Sequence, residues 1–358
     1  PDDVQESGTL VLRSSNVKNG EIVDADNVYI NPEIASADNV QEGDIIVVVR
    51  NGSRALIGKH AQIKDPKPNT VIGAFMSGMR SEHSSFVNAL LDTSAFENEI
   101  AKNMGATINQ ITGYMFSKME FVIPTDDEQE KIGEYFANLD HLITLHQRKC
   151  EQTKNLKKYM LQKMFPENGN CVPKIRFSGF ADAWEQRKLS DIYASIGNAF
   201  VGTATPYYVE SGHFYLESNN IKDGQINHNS EIFINDEFYE KQKDKWLHTG
   251  DMVMVQSGHV GHAAVIPEEL DNSAAHALIM FRHPKEKIEP YFLNYQYQTN
   301  KSKKKIEEIT TGNTIKHILA SDMQEFVGDI TNYDEQKKIG SYFQKLDHLI
   351  TLHQRKCY

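Results

Sequence analysis

The segment with the most reactive side chains is Gln256–His262, which reads QSGHVGH and places one serine near two histidines. A nucleophile elbow requires the pattern GxSxG, which this segment lacks. His259 and His262 are three residues apart, but no third metal ligand lies near them in the sequence. Cys150 and Cys357 occupy equivalent positions in two similar helical segments, and we interpret them as packed thiols rather than nucleophiles. We therefore predict no catalytic centre and no metal site.

The motifs that hold common cofactors are also missing from the sequence. No glycine-rich dinucleotide loop or P-loop follows a predicted strand. The DPPY or NPPY tetrapeptide of amino-methyltransferases is absent, and Ile30–Glu33, which reads INPE, does not qualify. Three scattered cysteines make neither a disulfide framework nor a CxxC metal site, which fits a reducing cytoplasm. We expect this chain to bind no cofactor.

The charge pattern argues against indiscriminate coating of nucleic acid but permits a specific DNA reader. The net charge is −11, whereas a specific reader needs only a locally basic face. Lysine is dense in 301–305, and 148–165 carries six Lys or Arg against one Glu. Such runs are also typical of solvated faces, so composition leaves the question open.

Polar residues near glycine suit DNA recognition better than catalysis. Glycine lets the backbone approach phosphate, and Ser, Thr and Asn bind phosphate oxygens, while Lys, Arg, Gln, Asn and His can read base edges. For any one candidate, an ordinary polar loop position remains an open alternative. The candidates in the first half are Ser15, Asn16, Lys18, Arg50, Asn51, Ser53, Arg54, Arg80, Thr107 and Asn109. Those in the second half are Asn219, Asn220, Lys222, Gln256, Ser257, His259, His262, Lys303, Lys304, Lys305, Thr314, Lys316 and His317.

An internal duplication organises the chain. Residues 128–150 and 335–357 are identical at 19 of 23 positions, at an offset of 207. Each half is a variable part followed by a nearly invariant helical part, which indicates one scaffold that presents two different recognition surfaces. Fainter matches pair Ser14–Ile22 with Ser218–Ile226, Gly43–Ile46 with Gly250–Val253, and Gly105–Ile108 with Gly312–Ile315.

The duplicated segments are predicted to be long helices. Glu128–Phe165 has no internal proline, and Thr125–Glu128 has the spacing of a capping box. Asn332–Glu335 offers the equivalent start for the second copy. At about 1.5 Å per residue, the first helix would span on the order of 57 Å.

Apolar residues of the two helices alternate at spacings of four and three, as in a coiled-coil seam. Two near-identical copies most simply bury their seams on each other in an antiparallel pair; the alternative is that each packs on its own domain. A second apolar face would be available to a partner protein. The residues predicted to pack in the seam or against a partner are Ile132, Phe136, Leu139, Leu142, Ile143 and Leu145, and Ile339, Phe343, Leu346, Leu349, Ile350 and Leu352.

The variable parts are predicted to be mixed α/β. Ile45–Val49 and Met252–Val255 are apolar runs entered by Gly-Asp turns, as in buried strands. Ser85–Met104 and Pro290–Gln298 are predicted helices. The expected fold is two globular α/β domains separated by two long helices that pair as an antiparallel coiled coil.

This combination resembles the specificity subunits of type I restriction–modification enzymes. The helix motif (D/E)EQxKIGxYF followed by LDHLITLHQRK carries the resemblance, together with Lys174–Phe180 and Trp184–Leu189, which resemble the usual opening of a second target-recognition domain. Residues 173–215 have no counterpart before Arg13, so we expect about 40 residues to be missing in front and the second helix to be truncated. The resemblance implies target-recognition domains at 1–124 and 173–331, spacer helices at 125–166 and 332–358, and a linker at 167–172.

The resemblance also implies a function. Each domain would read one half of a split double-stranded DNA sequence, and the helices would set the spacing. Two modification subunits would bind S-adenosylmethionine and methylate adenine, restriction subunits would use ATP and Mg, and no membrane would be involved. Two other classes stay open, namely a standalone methyltransferase or nuclease and a helical adaptor that does not bind DNA.

Overall fold

The computed structural model describes residues 4–5, 8–18, 20–35, 37–104, 109–167, 169–312 and 316–357. The chain divides into two compact units, Pro1–Leu145 and His146–Tyr358. The division falls inside the predicted spacer helix of residues 125–166, because the two halves of that helix pack in different units. Compact units of this kind do not test the boundaries at 124, 166, 172 and 331, which stay predictions.

In the described part of the first unit, short strands precede the helices. The strands are β1 Val4–Gln5, β2 Thr9–Leu12, β3 Val17–Lys18, β4 Glu21–Ile22, β5 Val28–Ile30, β6 Ile45–Val48, β7 His60–Gln62, β8 Thr70–Ile72 and β9 Met76–Met79. The helices are α1 Ser84–Leu91, α2 Ser94–Asn103, α3 Gly113–Phe116 and α4 Asp126–Lys163, the last of which continues into the second unit.

The core of the first unit forms around β6. This strand pairs antiparallel with β7 and β9, and all four of its residues are buried, so it shows no alternation of polar and apolar positions. A second sheet has the order β1-β5-β2-β8, in which β2 and β8 are parallel. Helix α4 crosses close to α1 at Gly133, where a Cβ would lie 2.7 Å from the backbone nitrogen of Phe86.

The described part of the second unit has the same plan with additions. Its strands are β10 Glu185–Lys188, β11 Tyr193–Asn198, β12 Tyr208–Val209, β13 His213–Leu216, β14 Ile221–Lys222, β15 Gln225–Ile226, β16 Phe233–Ile234, β17 Met252–Val255, β18 Ala263–Val265, β19 Ala274–Ala275, β20 Leu278–Pro284 and β21 Val327–Ile330. Its helices are α5 Leu189–Ile192, α6 Asp236–Glu240, α7 Pro290–Tyr297, α8 Asn300–Ile309, α9 Ala320–Glu325 and α10 Tyr333–Arg355.

The two units share their central pairings. Strand β17 lies between β18 and β20 as β6 lies between β7 and β9, and β13 pairs parallel with β19 as β2 pairs with β8. Helix α10 crosses α7 at Gly340, where a Cβ would lie 3.4 Å from the backbone nitrogen of Phe292. Among the described residues, no helix is both long and apolar enough to cross a membrane.

The element predictions are confirmed, with one correction. Both buried strands and both long helices form, and Asn332 caps α10 by accepting a hydrogen bond from the Glu335 backbone N–H at 3.0 Å. The predicted helix Ser85–Met104 is instead two helices, because Asp92 is the C-cap of the first and Thr93 is the N-cap of the second, where its side chain accepts a hydrogen bond from the Phe96 N–H. Threonine favours such cap positions over helix interiors.

Within the second unit, the C-terminal half of α4 and helix α10 pair antiparallel, as predicted. His146 meets His353, and the Cys150 thiol lies 3.9 Å from the carbonyl of Ile350. Further along, Lys157 pairs with Asp347 at 2.6 Å, and the Phe165 ring stacks on Phe343 at 6.1 Å. Because the partner number falls as the residue number on α4 rises, the two helices run in opposite directions.

The two helix copies bury the same sequence differently. Ile339, Phe343 and Leu346 are at most 6% exposed, whereas Phe136 is 46% and Ile143 36% exposed. The expectation that Phe136 lies in a buried seam within this chain is therefore wrong. The second copy is covered by residues such as Phe165 and Phe292 of its own unit, which form one apolar cluster with it.

Candidate nucleic-acid interface

One asparagine holds the same turn in each unit. The Asn16 side chain accepts a hydrogen bond from the Arg13 N–H at 3.0 Å and donates one to the Ala25 carbonyl at 2.8 Å. Asn220 accepts from the Glu217 N–H at 3.0 Å and donates to the Asn227 carbonyl at 3.1 Å. These amides are only 0% and 2% exposed.

This burial corrects the prediction that Asn16 and Asn220 contact DNA, because their hydrogen bonds hold the turn. Their neighbours at the tips of the β3–β4 and β14–β15 hairpins, Lys18 and Lys222, are exposed, as is Asn219. Ser15 is half-buried, and its hydroxyl has no partner among the described residues.

A second pair of loops recurs at an offset of 207 with its hydrogen bonds intact. In the first unit, Arg50 bridges to Gln110, and the Asn51 N–H donates to the Asn109 carbonyl at 3.3 Å. In the second unit, Ser257 bridges to His317, and the Gly258 N–H donates to the Lys316 carbonyl at 3.1 Å. The backbone is thus repeated while the side chains differ.

In the first unit, this loop pair gathers several predicted residues. The Asn51 amide donates to the Ser14 hydroxyl at 3.1 Å, and the Asn109 amide donates to the Gly52 carbonyl at 3.0 Å. The Arg50 guanidinium lies 5.0 Å from the centre of the Phe75 ring. Arg50, Ser53 and Arg54 are exposed. The cluster therefore offers two guanidinium groups beside fixed amides.

Arg80 forms a salt bridge with a carboxylate of its own unit. Its guanidinium makes two hydrogen bonds, of 2.7 and 2.9 Å, with the carboxylate of Asp44. The hydrogen bond from Arg80 is the main reason that the pKa of Asp44 lies below its usual value. The geometry gives Arg80 a structural partner in the turn that enters β6, and it lies apart from the Arg50 loop.

In the second unit, the loop pair forms one wall of a cleft of about 330 Å³. The loop 258–262 faces α8, and Lys316 and Asp223 complete the rim. His262 Nδ1 accepts the Asp223 backbone N–H at 3.3 Å, and burial lowers the pKa of His262. With Nδ1 accepting, the ring proton is carried by Nε2, which can donate a hydrogen bond. His259 is exposed beside it.

The lysines of α8 do not form one patch. Lys303 lines the cleft, whereas Lys304 lines a separate surface depression beside Pro166. Lys305 donates to the Val327 carbonyl at 3.1 Å, and burial lowers the pKa of Lys305. Lys301 forms a buried ion pair with Asp329 at 2.6 Å. The Lys305 ammonium is therefore engaged within its own unit, and we no longer count it among the residues that could contact phosphate.

Three further predicted residues are not placed in either loop cluster by their side chains. Thr107 and Thr314 lie in 105–108 and 313–315, outside the described residues. Gln256 contributes its carbonyl, which accepts the Ile318 N–H at 3.0 Å. Within the described ranges, no group of three or more His, Cys, Asp or Glu residues is placed to hold a metal ion.

The sequence did not predict one hydrogen-bonded pair, His276 and Glu217, which lies beside the candidate loop at Asn219. The His276 ring lies 3.1 Å from the Glu217 carboxylate, which also accepts the Tyr208 hydroxyl at 2.7 Å. This pair raises the pKa of His276 and lowers that of Glu217, in both cases mainly through their mutual hydrogen bond. Glu217 comes directly before the exposed loop at Asn219. The partners are 59 residues apart, so no local motif could reveal them.

Each of the two like α/β units presents a pair of loops with cationic or polar side chains that can contact nucleic acid. The family described as the type I restriction modification DNA specificity domain matches this chain twice, at residues 5–155 and 181–357. These two matches cover most of both units, and the chain belongs to this family.

Individual relatives and solved structures are similar to this chain at low identity. The type I restriction enzyme MjaVIII specificity subunit of Methanocaldococcus jannaschii is 20% identical over 72% of this chain and 62% of its own length. The chain thus spans less than two thirds of that curated relative. The crystal structure of the type I restriction–modification S subunit from M. genitalium has a TM-score of 0.60 at 11% identity, covering 99% of this chain and 90% of that one. A chain solved in work on complex assembly and conformational transition of the type I R-M system has a TM-score of 0.50 at 15% identity, covering 99% and 90%.

Proposed function

We propose that this chain is the DNA-sequence-recognition subunit of a type I restriction–modification complex and that each unit reads one half of a split target. The observation that carries the proposal is the loop pair repeated at an offset of 207. Its backbone hydrogen bonds are the same, but it presents Arg50 and Gln110 in one unit and Ser257 and His317 in the other. Identical frames with different side chains are what two unlike half-sites require.

The side chains suit different base edges. Arginine binds guanine through two hydrogen bonds, and glutamine binds adenine in the same way, whereas serine and imidazole accept a wider range of edges. Exposed Lys18, Lys222 and Lys303 would bind phosphates and position the units without reading sequence. We therefore propose that each base contact made by the first unit discriminates more strongly between bases than a contact made by the second unit.

The finer features of the complex are part of the proposal. The paired helices would set the distance between the half-sites, and their exposed leucine faces would dock two modification subunits. S-adenosylmethionine, ATP and Mg would be bound by partner subunits, and catalysis would take place there. Such a complex acts where cellular and incoming DNA meet, in the cytoplasm.

The test is the sequence methylated by the chain together with its cognate modification subunits. Arg50→Ala should relax one position of one half-site, at a cost of roughly 1–3 kcal/mol in discrimination, and should leave the other half unchanged. Lys102→Ala is the matched control, because this lysine lies on α2 and pairs with Glu99 at 2.6 Å. If Arg50→Ala behaves like the control, the loop pair is not the reader. If the isolated chain methylates DNA, the assignment as a subunit without catalysis is wrong.

A further inference from the structure

The two helix copies differ at four positions, and all four lie on one helix face. Glu130, Glu134, Ala137 and Asn138 in the first copy correspond to Lys337, Ser341, Gln344 and Lys345 in the second. Spacings of four, seven and eight residues place them within about 100° of arc on an α-helix. The changes from Glu to Lys, Glu to Ser and Asn to Lys make this face more positive by 2 + 1 + 1 = 4 charges in the second copy.

On α10, this face forms one side of a groove of about 650 Å³. The opposite side comes from Phe177 and Phe180. The Phe177 ring packs edge-to-face on Tyr342 with a centroid distance of 6.1 Å, and the Lys338 ammonium lies 4.8 Å from the centre of the Phe180 ring. An apolar floor is therefore bordered by the exposed Lys337, Lys338 and Lys345 and by one exposed carboxylate, that of Asp334, so the border is positive by two charges.

The same face of each helix continues to a pair of exposed leucines. Leu142 and Leu145 are 49% and 36% exposed, and their equivalents Leu349 and Leu352 are 41% and 37% exposed. Both copies thus offer the same apolar pair at the same exposure. On the N-terminal side of that pair, the face carries Glu130, Glu134 and Asn138 in the first copy and Lys337, Ser341 and Lys345 in the second.

We infer that α10, with the groove under Phe177 and Phe180, is the stronger of two unequal docking sites and takes an acidic, apolar-anchored segment of a partner protein. The inference rests on the proposed function, in which that partner is the modification subunit. Charge complementarity selects an acidic segment, since Glu130 and Glu134 of α4 would repel it. A protein fits better than single-stranded nucleic acid, because Phe177 packs on Tyr342 and Phe180 is occupied by Lys338, which limits base stacking.

The experiment titrates the full chain with its cognate modification subunit and follows the 1:1 and 2:1 complexes by native mass spectrometry at low and high NaCl. The triple variant Lys337→Glu, Ser341→Glu and Lys345→Asn gives α10 the residues that α4 already carries in a folded helix. We expect the tighter binding step to weaken about tenfold at low salt, as loss of a few exposed charge pairs allows, and to lose most of its salt dependence.

The reciprocal variant Glu130→Lys, Glu134→Ser and Asn138→Lys is the control. It should strengthen the weaker step, because it removes the repulsive carboxylates of α4, and it should not weaken the tighter step. The inference is overturned if the control alone weakens that step, or if both variants keep the wild-type affinities. It is also overturned if the α10 variant weakens binding of the chain to random DNA instead, since the groove would then be a nucleic-acid site. Methylation of an unchanged sequence by the saturated variant complex would leave the proposed function intact in each case.

Discussion

His146 and His353 occupy the same position in the two helix copies, and their Nδ1 atoms lie 3.1 Å apart. A residue that meets its own repeat equivalent marks the point at which two antiparallel helices cross symmetrically. Only one of the two nitrogens can donate across this contact, and the other accepts. Desolvation and the nearby Lys356, His353 and Lys149 lower the pKa of His146.

Further along the helix pair, a buried ion pair should contribute to the stability of the second unit. Lys157 and Asp347 are 12% and 10% exposed, and Asp347 also accepts the Tyr295 hydroxyl at 2.8 Å. Lys157→Ala leaves a buried carboxylate without its cation and should lower the free energy of unfolding by about 3–5 kcal/mol. Urea denaturation measures this change, and Lys158→Ala on the exposed face is the control. Equal midpoints for both variants would show that the pair contributes little.

The sequence of the two helices predicted their length, their antiparallel pairing and the Asn332 cap of α10, but it could not predict burial. Helix length follows from the absence of proline, which is a property of the segment itself. Phe136 and Phe343 have identical residues three and four positions away on either side of the helix but are 46% and 0% exposed. Their difference arises from distant residues such as Phe165 that cover only the second copy.

The candidate site shows the same limit. The recurrence of Ser14–Ile22 as Ser218–Ile226 draws attention to Asn16 and Asn220. Recurrence does not separate an exposed residue that could contact DNA from a buried one that supports the loop, and the Asn16 amide holds a turn. The sequence offers Lys303, Lys304 and Lys305 as equal candidates, whereas helical geometry directs Lys303 and Lys305 to different neighbours.

Exchange of one recognition unit should change one half of the target. Replacing residues 13–121 by the corresponding part of another specificity subunit leaves the second unit and its helix pair untouched. We expect methylation of a hybrid sequence in which one half is new and the other is retained. Sequencing of methylated sites in a random library measures this outcome. A change in both halves would contradict the modular organisation.

The lysines of α8 should separate binding from stability. Lys303→Ala removes a cation from the cleft and should weaken binding to all DNA sequences alike, with a smaller salt slope. Lys305→Ala should leave that slope unchanged and lower the free energy of unfolding, because this ammonium holds the Val327 carbonyl. Binding isotherms at several salt concentrations, together with urea denaturation, compare the two variants.

His259→Ala should instead relax one base position if its exposed ring reads a base edge. Equal behaviour of all three would mean that the cleft does not separate these roles.

The pair formed by His276 and Glu217 should make stability depend on pH. The raised pKa of His276 means that its contribution is complete below the ordinary value of 6.5 and is lost as pH rises through the raised pKa. The lowered pKa of Glu217 means that its contribution is complete above 4.5 and is lost as pH falls through the lowered pKa. The pair therefore contributes most between pH 4.5 and 6.5.

Substituting the histidine tests this window. His276→Gln should lower the free energy of unfolding by about 1–3 kcal/mol inside it, as loss of a charge-assisted hydrogen bond predicts, and by less above it. Chemical denaturation across pH 4 to 9 compares the variant with the wild type, and His228→Gln on the exposed surface is the control. A difference that does not change with pH would mean that the pair is not charged in the folded protein.

Lengthening α4 at the boundary between the two units should change the distance between the half-sites. A four-residue helical insertion after Leu145 keeps every helix contact of the second unit from His146 onward. It advances the helix by about 6 Å and turns it by roughly 40° beyond one full turn. Because DNA rises about 3.4 Å per base pair, the preferred spacer should grow by one or two base pairs while both half-sites keep their sequence. Methylation of a library with spacers of every length measures the shift. The same insertion after Asn170, in the exposed connection that follows the helix, should leave the spacer unchanged. If the insertion after Leu145 also leaves it unchanged, the helices do not set the spacing.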